Sequence, residues 1–128
     1  MMDKSKIFII FCYIFVIYIS LLALIFIFQR SLMYFPVKEK ISKSFYKNTQ
    51  LKIIDISTSD GLILKSLYKK SETNINKTIL VFHGNAGHIG HRVNKFKPFI
   101  DKGYGLLLLE YRGYGENKGK PSKLGLYK

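Results

Sequence analysis

The sequence of 128 residues has one cysteine, no tryptophan and only 8 acidic side chains, set against 21 lysines and arginines. A single cysteine, Cys12, cannot form a disulfide within the chain or supply a cysteine-based zinc site. Disulfide scaffolds and zinc fingers are therefore excluded. Apolar residues are not scarce, since 48% of the chain is hydrophobic, and this argues against a long disordered chain. The length fits one ordinary domain at most.

The apolar residues are concentrated near the N-terminus. Residues 7–28 contain no charged side chain, and Ser20 is the one strongly polar residue among them. A helix of this length extends about 33 Å, enough for the ~30 Å hydrocarbon core of a bilayer. A cleaved signal peptide has a shorter apolar stretch and a small-residue cleavage site, whereas Gln29, Arg30 and bulky residues follow here. We expect a short tail over 1–6 and a transmembrane helix over 7–28 in a single-pass membrane protein.

Positive charge is concentrated after this expected span. All but two of the 21 bases and all but one of the 8 acids come later, so residues 29–128 carry a net charge of +12. The positive-inside rule then gives a slight preference for a cytoplasmic C-terminal side. The charge suits an anionic lipid surface, and a coding bias toward lysine is an equal alternative because 18 of the bases are lysine. No recognition motif accompanies the charge, so nucleic acid is not an expected partner.

The pattern changes after the span. Residues 29–50 are predicted to be a juxtamembrane connector, with no chemical role for its lysine-rich part. Alternating apolar residues on both sides of Ser59-Asp60-Gly61 predict a β-hairpin. Two unbroken apolar runs, 78–82 and 106–109, predict buried parallel strands, and the helical spacing between them completes a β–α–β unit with a right-handed crossover. Ser122 is placed to cap a further helix.

A glycine-rich segment, His83-Gly84-Asn85-Ala86-Gly87, follows the first buried strand. Its glycines allow a tight turn with outward amides, and the next helix adds partial positive charge at its N-terminus. Such a loop suits either a nucleotide phosphate or the oxyanion of an acyl transfer. Glu110 follows Gly90 at the distance of the ribose-binding acid in dinucleotide folds, but the glycine spacing is G-x-x-G-x-x-G where G-x-G-x-x-G is needed. No nucleotide or other cofactor is expected.

Several motifs together resemble the N-terminal part of membrane-anchored α/β-hydrolases of the alpha/beta-hydrolase domain-containing type. They are His83-Gly-Asn-Ala-Gly87 with Gly90-His-Arg92, Leu108-Leu-Glu-Tyr-Arg-Gly-Tyr-Gly115, Gly119-Lys-Pro-Ser122, and Gln29 to Pro36 upstream. The resemblance implies an α/β protein with an N-terminal transmembrane helix. The first strands and helix of an incomplete α/β-hydrolase fold would follow over 51–128. The hairpin would supply strands one and two, 78–82 strand three and 106–110 strand four.

The resemblance also implies roles for individual residues. The Asn85 backbone amide would be one of two oxyanion-hole donors, the second being the amide after the nucleophile. His83, Gly84 and Gly87 would support the loop. Arg112 would brace neighbouring loops, with a solvated turn arginine as the alternative.

One residue departs from the family pattern. Asn117 occupies a position where the family usually has serine. We expect this departure to change a hydrogen bond of the loop and nothing more.

The nucleophile elbow of this fold, G-x-S-x-G, does not occur in the sequence. In this fold the triad follows in the order Ser, Asp or Glu, and His, after the segment that resembles this chain. We therefore expect the N-terminal part of a serine hydrolase acting on an ester, thioester or peptide, without its triad and inactive alone. A second chain would supply the rest of the fold.

The histidines are not expected to replace the triad. His83, His88 and His91 precede the position of the nucleophile and are expected to serve the surfaces of the loop and the helix. A metal site formed by all three is not expected, because no acidic or cysteine partner is evident in the sequence.

A different class remains open as an alternative. This is a non-catalytic single-pass membrane protein whose basic domain binds anionic lipid or a partner chain. For either class, we expect the strand over 78–82 to have an unpaired apolar edge and the domain to be marginally stable.

Overall fold

The computed structural model describes residues 3–128, which form two compact units, 3–33 and 34–128. The first unit contains one helix, α1, over Lys4–Met33. This helix is long and apolar enough to cross a membrane, and its large apolar side chains are exposed along its length. Its mid-helix hydroxyl is satisfied locally, because Ser20 Oγ donates to the Val16 carbonyl at 2.8 Å. A helix that is apolar on every side is suited to lipid.

The second unit combines a four-stranded sheet, a short two-stranded pair and one α-helix. The strands are β1 (Phe35–Pro36), β2 (Lys52–Ser57), β3 (Ile63–Lys69), β4 (Thr78–Phe82), β5 (Ala86–Gly87) and β6 (Gly105–Leu109), and the α-helix is α2 (Val93–Asp101). Short 3-10 helices span Lys43–Phe45, Ile89–Arg92 and Leu124–Tyr127. The larger sheet has the order β2-β3-β6-β4, and β1 pairs with β5 in parallel.

The hairpin predicted from the alternating residues is confirmed. Strands β2 and β3 are antiparallel, with Lys52 opposite Tyr68 and Ser57 opposite Ile63. The turn between them is closed by Thr58, whose hydroxyl accepts the Leu62 N–H at 3.0 Å. The threonine hydroxyl thus takes the place of a backbone carbonyl as the acceptor for the Leu62 N–H.

The β–α–β unit is also confirmed. Strands β4 and β6 run parallel, with Thr78 opposite Gly105 and Phe82 opposite Leu109. The carboxyl ends of both strands therefore lie at the same edge of the sheet, where open α/β sheets bind their ligands. The prediction that Ser122 caps a further helix is wrong by one residue, because the N-cap of the 3-10 helix Leu124–Tyr127 is Lys123. Ser122 Oγ still accepts the Gly125 N–H at 3.1 Å.

The apolar core joins the sheet, α2 and the connector. Val93 and Ile100 lie seven residues apart, two turns along one face of α2, and both are buried. They belong to one cluster with residues of the strands and of the connector. The members of this cluster are Ile41, Leu51, Leu67, Val81, Ile89, Val93, Ile100, Leu106 and Leu108.

The unpaired edge expected for 78–82 is confirmed for residues 3–128. Strand β4 lies at the end of the sheet and pairs with β6 alone. Two of its apolar side chains, Leu80 and Phe82, are 52% and 58% exposed. A parallel strand is normally covered on both faces and paired on both edges, whereas β4 has one unpaired edge and one exposed face.

Candidate active site

The candidate active site is the loop over 83–88, which leaves the carboxyl end of β4 and leads to the 3-10 helix before α2. Its middle residues Gly84, Asn85 and Ala86 are exposed, whereas His83 and His88 at its ends are buried. Asn85 thus lies at the exposed part of a turn that is fixed at both ends.

Three successive carbonyls of this loop, those of Asn85, Ala86 and Gly87, accept hydrogen bonds from the surrounding protein. The donors are the Phe35 N–H and the Tyr114 hydroxyl for Asn85 (both 2.8 Å), Arg92 Nη2 for Ala86 (2.9 Å) and the Val37 N–H for Gly87 (3.2 Å). These bonds connect the loop to the connector, to the segment after β6 and to the start of α2. The loop is therefore held in one backbone conformation.

Glycine is present at two positions of the loop, 84 and 87, for different physical reasons. Gly87 has a φ of +79°, and a Cβ there would lie 3.1 Å from His91 Nδ1. Glycine is needed at this position because other residues rarely adopt such a φ. A Cβ on Gly84 would meet no atom within 4 Å, so the space beside Gly84 is open to a ligand.

Below the loop, His83 and Glu110 form a fully buried pair. Their Nε2 and Oε1 atoms lie 2.7 Å apart, in contact but not aligned for a hydrogen bond. On the other side of the ring, Nδ1 lies 2.7 Å from the Gly84 carbonyl oxygen. A carbonyl oxygen can only accept, so Nδ1 carries a proton. The second carboxylate oxygen of Glu110 accepts the Ile89 N–H at 2.9 Å.

The burial of Glu110 bears on the nucleotide alternative. The residue is 0% exposed, and its carboxylate contacts protein groups. A ribose hydroxyl would need an accessible carboxylate, so this position does not serve a dinucleotide.

The expectation that the histidines serve loop and helix surfaces is wrong for two of them. His83 is 8% exposed and His88 is 0% exposed. Each buried ring faces a carboxylate, Glu110 for His83 and Glu39 for His88. The hydrogen bond to Glu39 compensates for the loss of water at His88 Nε2. His91 is exposed, as expected.

The connector supplies an acidic partner that the sequence analysis did not find. Glu39 Oε1 lies 2.8 Å from His88 Nε2 and 3.7 Å from His91 Nε2. The expectation of no acidic partner is therefore wrong. The reason is the pairing of β1 with β5, which brings the connector onto the loop.

The cluster of Glu39, His88 and His91 has metal-like spacing, with one ligand atom from each within 4.8 Å of the others. His88 Nδ1 accepts the Gly90 N–H at 3.0 Å, however, so the neutral ring carries its proton on Nε2. That nitrogen faces Glu39 and would have to be bare to bind a metal ion. The arrangement is better described as a hydrogen-bonded link between the connector and the helix start.

Arg112, in the segment after β6, joins the candidate site to the hairpin. Its Nη1 and Nη2 donate to the two carboxylate oxygens of Asp60 at 2.7 and 2.9 Å, and the side chain is largely buried. Hydrogen bonds from Arg112 and from the Thr58 hydroxyl hold the pKa of Asp60 far below its usual range. The same bond raises the pKa of Arg112.

Asn117 has a larger role than one changed loop bond. Its Oδ1 accepts the Lys65 N–H at 2.8 Å, and its Nδ2 donates to the Lys65 carbonyl at 3.2 Å. The same Nδ2 lies within hydrogen-bond distance of the carbonyls of Glu110 and Tyr111. This buried amide therefore ties β3 to the segment that follows β6.

Two tyrosines complete the surroundings of His83. The rings of Tyr111 and Tyr114 lie 4.5 and 5.0 Å from its imidazole, measured between centroids. Burial and the nearby Glu110 carboxylate raise the pKa of Tyr111, and burial with neighbouring Tyr34 and Glu110 raises that of Tyr114. The sequence did not predict a role for Tyr114, although two tyrosines three residues apart follow β6.

A cavity of about 450 Å³ opens at the same sheet edge. Most of its lining is aromatic or aliphatic, with one lysine. The lining residues are Tyr34, Phe82, Tyr111, Lys123, Leu126 and Tyr127.

Comparison with known proteins gives the chain its family. No family model matches it. It is 36% identical over 113 residues to Alpha/beta hydrolase domain-containing protein WAV2 of Arabidopsis thaliana, and 34% identical over 118 residues to Protein bem46 of Schizosaccharomyces pombe. It is 41% identical over 61 residues to Lysophosphatidylserine lipase ABHD12 of Danio rerio. The fold matches Pyrococcus furiosus esterase Pf2001 with a TM-score of 0.54 at 21% identity, over 73% of this chain and 36% of that one.

In sequence and in fold, the chain is similar to the N-terminal part of an α/β-hydrolase. The resemblance drawn from the loop motifs and the α/β fold class with an N-terminal apolar helix are both confirmed. The alignments include 83% and 84% of this chain but only 37% and 40% of the two longer-matched relatives. The chain thus spans about two fifths of their length or less.

Proposed function

We propose that this chain forms the N-terminal part of a membrane-anchored serine hydrolase and that its loop over 83–88 supplies one half of the oxyanion hole. The observation that carries the proposal is the loop itself, an exposed turn at the carboxyl end of a parallel strand with its carbonyls held by the protein. Backbone amides fixed in this way stabilise the oxyanion of an acyl transfer. Of the ester, thioester and peptide classes expected from the sequence, the name of one similar protein, a lipase, supports an ester substrate.

The nucleophile is proposed to lie on polypeptide outside these 128 residues. No G-x-S-x-G occurs in the sequence, and the nucleophile of this fold stands on such an elbow. The open edge of β4 offers a place for a further strand of that polypeptide. Because loss of a triad serine lowers kcat by about 10⁶, the 128 residues alone are expected to have no turnover.

Helix α1 is proposed to be the membrane anchor. Five bases, Arg30, Lys38, Lys40, Lys43 and Lys47, follow its apolar core closely, against Lys4 and Lys6 before it. This distribution favours a cytoplasmic position for the second unit. The net charge of +12 over 29–128 also favours contact with anionic lipid, which is the second candidate role.

Labelling with a serine-reactive fluorophosphonate tests the catalytic proposal. The chain is purified in detergent alone and after co-expression with the nucleophile-bearing remainder of Protein bem46. Protein bem46 divided at the same position is the positive control. We expect no label on the 128-residue chain. We expect the remainder of Protein bem46 to be labelled only when the 128-residue chain is present. A label on the chain alone would contradict the proposal, as would labelling of the remainder to the same extent without it.

A vesicle experiment separates the two candidate roles. The full chain is reconstituted in vesicles with or without phosphatidylserine, and protection of its lysines from chemical modification is compared at low and high salt. Salt-sensitive protection without any complementation of the hydrolase would favour the lipid-binding role.

A further inference from the structure

We infer that Glu110 and His83 are positioning residues that together fix the direction of the Asn85 N–H. The inference rests on the proposed function, because it names the device that holds the oxyanion-hole amide. Glu110 acts on the amide through the imidazole and touches no reacting group itself.

The direction of the Asn85 N–H depends on the orientation of the peptide between Gly84 and Asn85. Its carbonyl oxygen lies 2.7 Å from His83 Nδ1, which carries a proton. None of the described peptide bonds is cis, and a trans peptide directs its C=O and N–H to opposite sides. A carbonyl held toward the buried imidazole therefore directs the Asn85 N–H away from it. Rotation of this peptide would remove the donor from the loop surface.

The imidazole is itself held in place. Its Nε2 lies 2.7 Å from Glu110 Oε1, and neither side chain has any exposed surface. The aromatic rings of Tyr111 and Tyr114 pack on the imidazole at 4.5 and 5.0 Å. The ring thus has a polar contact at each nitrogen and aromatic walls around it, which leaves it little freedom to rotate.

Glu110 is in turn held in place. Its Oε2 accepts the Ile89 N–H at 2.9 Å, and its own N–H donates to Ser66 Oγ at 3.1 Å. Gly115 packs closely above the carboxylate, since a Cβ there would lie 3.0 Å from Oε2. One carboxylate therefore holds both ends of the loop, through His83 at one end and Ile89 at the other.

This arrangement distinguishes two substitutions of Glu110. In Glu110→Gln, the amide oxygen can accept from Ile89 while the amide nitrogen stays in contact with Nε2. In Glu110→Ala, both contacts are lost and the ring can turn away from the Gly84 carbonyl. We expect the glutamine variant to keep the direction of the Asn85 N–H and the alanine variant to lose it.

A pair of His83 variants separates the contact made by Nδ1 from the contact made by Nε2. The amide nitrogen of asparagine falls near the position of Nδ1, and that of glutamine near the position of Nε2. We expect His83→Asn to retain the bond to the Gly84 carbonyl and His83→Gln to lose it. This second pair keeps the inference testable if Glu110→Ala does not fold.

The experiment is NMR spectroscopy of the full chain in detergent micelles. Long-range couplings of the ring nitrogens report the protonation of His83, and residual dipolar couplings report the direction of the Asn85 N–H. The amides of Leu106 and Leu108 in β6 report whether the sheet is intact. With the sheet intact, the Asn85 coupling is expected to average toward zero in Glu110→Ala and His83→Gln and to persist in Glu110→Gln and His83→Asn.

An unchanged Asn85 coupling in Glu110→Ala would overturn the inference. So would equal loss of the coupling in both members of either pair while the β6 amides are unaffected. These readouts need no turnover. A fixed Asn85 amide in a complemented but inactive enzyme would therefore argue against the proposed function alone.

Discussion

At the scale of the residue, the site depends on a few buried polar side chains that join segments far apart in the sequence. Arg112 and Asp60 are 52 residues apart and form a two-bond ion pair. Asn117 and Lys65 are also 52 residues apart and share two bonds. Such groups stabilise a fold only when their partners are all present, because an unpaired buried polar group is costly.

Replacement of Asn117 by alanine tests one of these links. The change leaves the Lys65 N–H without its partner, and we expect a loss of about 1–3 kcal/mol in the free energy of unfolding. Hydrogen exchange of the β3 and β6 amides in detergent measures the loss. Asn48→Ala, at an exposed position, is the matched control. Equal exchange in the two variants would contradict this account.

The ion pair of Asp60 and Arg112 predicts a dependence of stability on pH. The folded-state pKa of Asp60 is depressed by hydrogen bonds from Arg112 and Thr58. Its contribution is therefore fully present above the unfolded pKa of about 3.9 and is lost as the pH falls toward the folded value. We expect Asp60→Asn to be less stable than the wild type at pH 7, with the difference shrinking below about pH 4.

Measurement of unfolding at several pH values tests this prediction. Asp55→Asn, in the neighbouring strand β2, is the control, because the bonds from Arg112 and Thr58 go to Asp60 and leave Asp55 unaffected. A difference between Asp60→Asn and wild type that grows on acidification would have the wrong sign.

At the scale of the element, local patterns were sufficient for the regular parts and insufficient for the connector. Alternation around Asp60 predicted β2 and β3, and the apolar runs with helical spacing between them predicted β4, α2 and β6. These patterns are set by which face of each element meets the core.

The contact of Glu39 with His88 could not be predicted in this way. The two residues are 49 positions apart, and β1, which brings them together, has only two residues. A strand this short leaves no periodic pattern in the sequence. The candidate loop over 83–88 was predicted because Gly84 and Gly87 lie close together in the sequence, whereas its supports Glu110 and Tyr114 are distant from it.

The open edge of β4 predicts how the chain associates. Leu80 is half-exposed on this strand, whereas Val81 beside it is 9% exposed. We expect Leu80→Lys to reduce aggregation, because charge on an edge strand discourages pairing with other chains. Val81→Lys should instead unfold the sheet, because it buries an unpaired charge.

Light scattering of both variants in detergent, with hydrogen exchange of β6 as the test of folding, measures these effects. Aggregation of Leu80→Lys equal to that of the wild type, with β6 intact, would show that another surface is responsible.

At the scale of the whole molecule, the proposed anchor α1 and the unit that contains the sheet are expected to have different solvents, lipid for the first and water for the second. A charged residue at the centre of a transmembrane helix costs about 2.5–3.5 kcal/mol on insertion scales. We therefore expect Ile17→Arg, near the middle of α1, to release much of the chain from membranes. Gln29→Arg, near the helix end, should be retained because a long basic side chain can reach the interface.

Extraction of membranes with alkaline carbonate distinguishes the two variants. Release of the wild-type chain under the same conditions would contradict a membrane-spanning role for α1.

The proposed function depends on stabilisation of an oxyanion by the Asn85 amide. Its most direct measurement is the rate of ester hydrolysis by the chain complemented with the nucleophile-bearing remainder, with proline or alanine at position 85. Proline removes the N–H, and loss of one oxyanion-hole donor lowers kcat by about 10²–10³. We predict a loss of this size in Asn85→Pro and a much smaller one in Asn85→Ala, which keeps the N–H. Equal rates in the two variants would contradict the account.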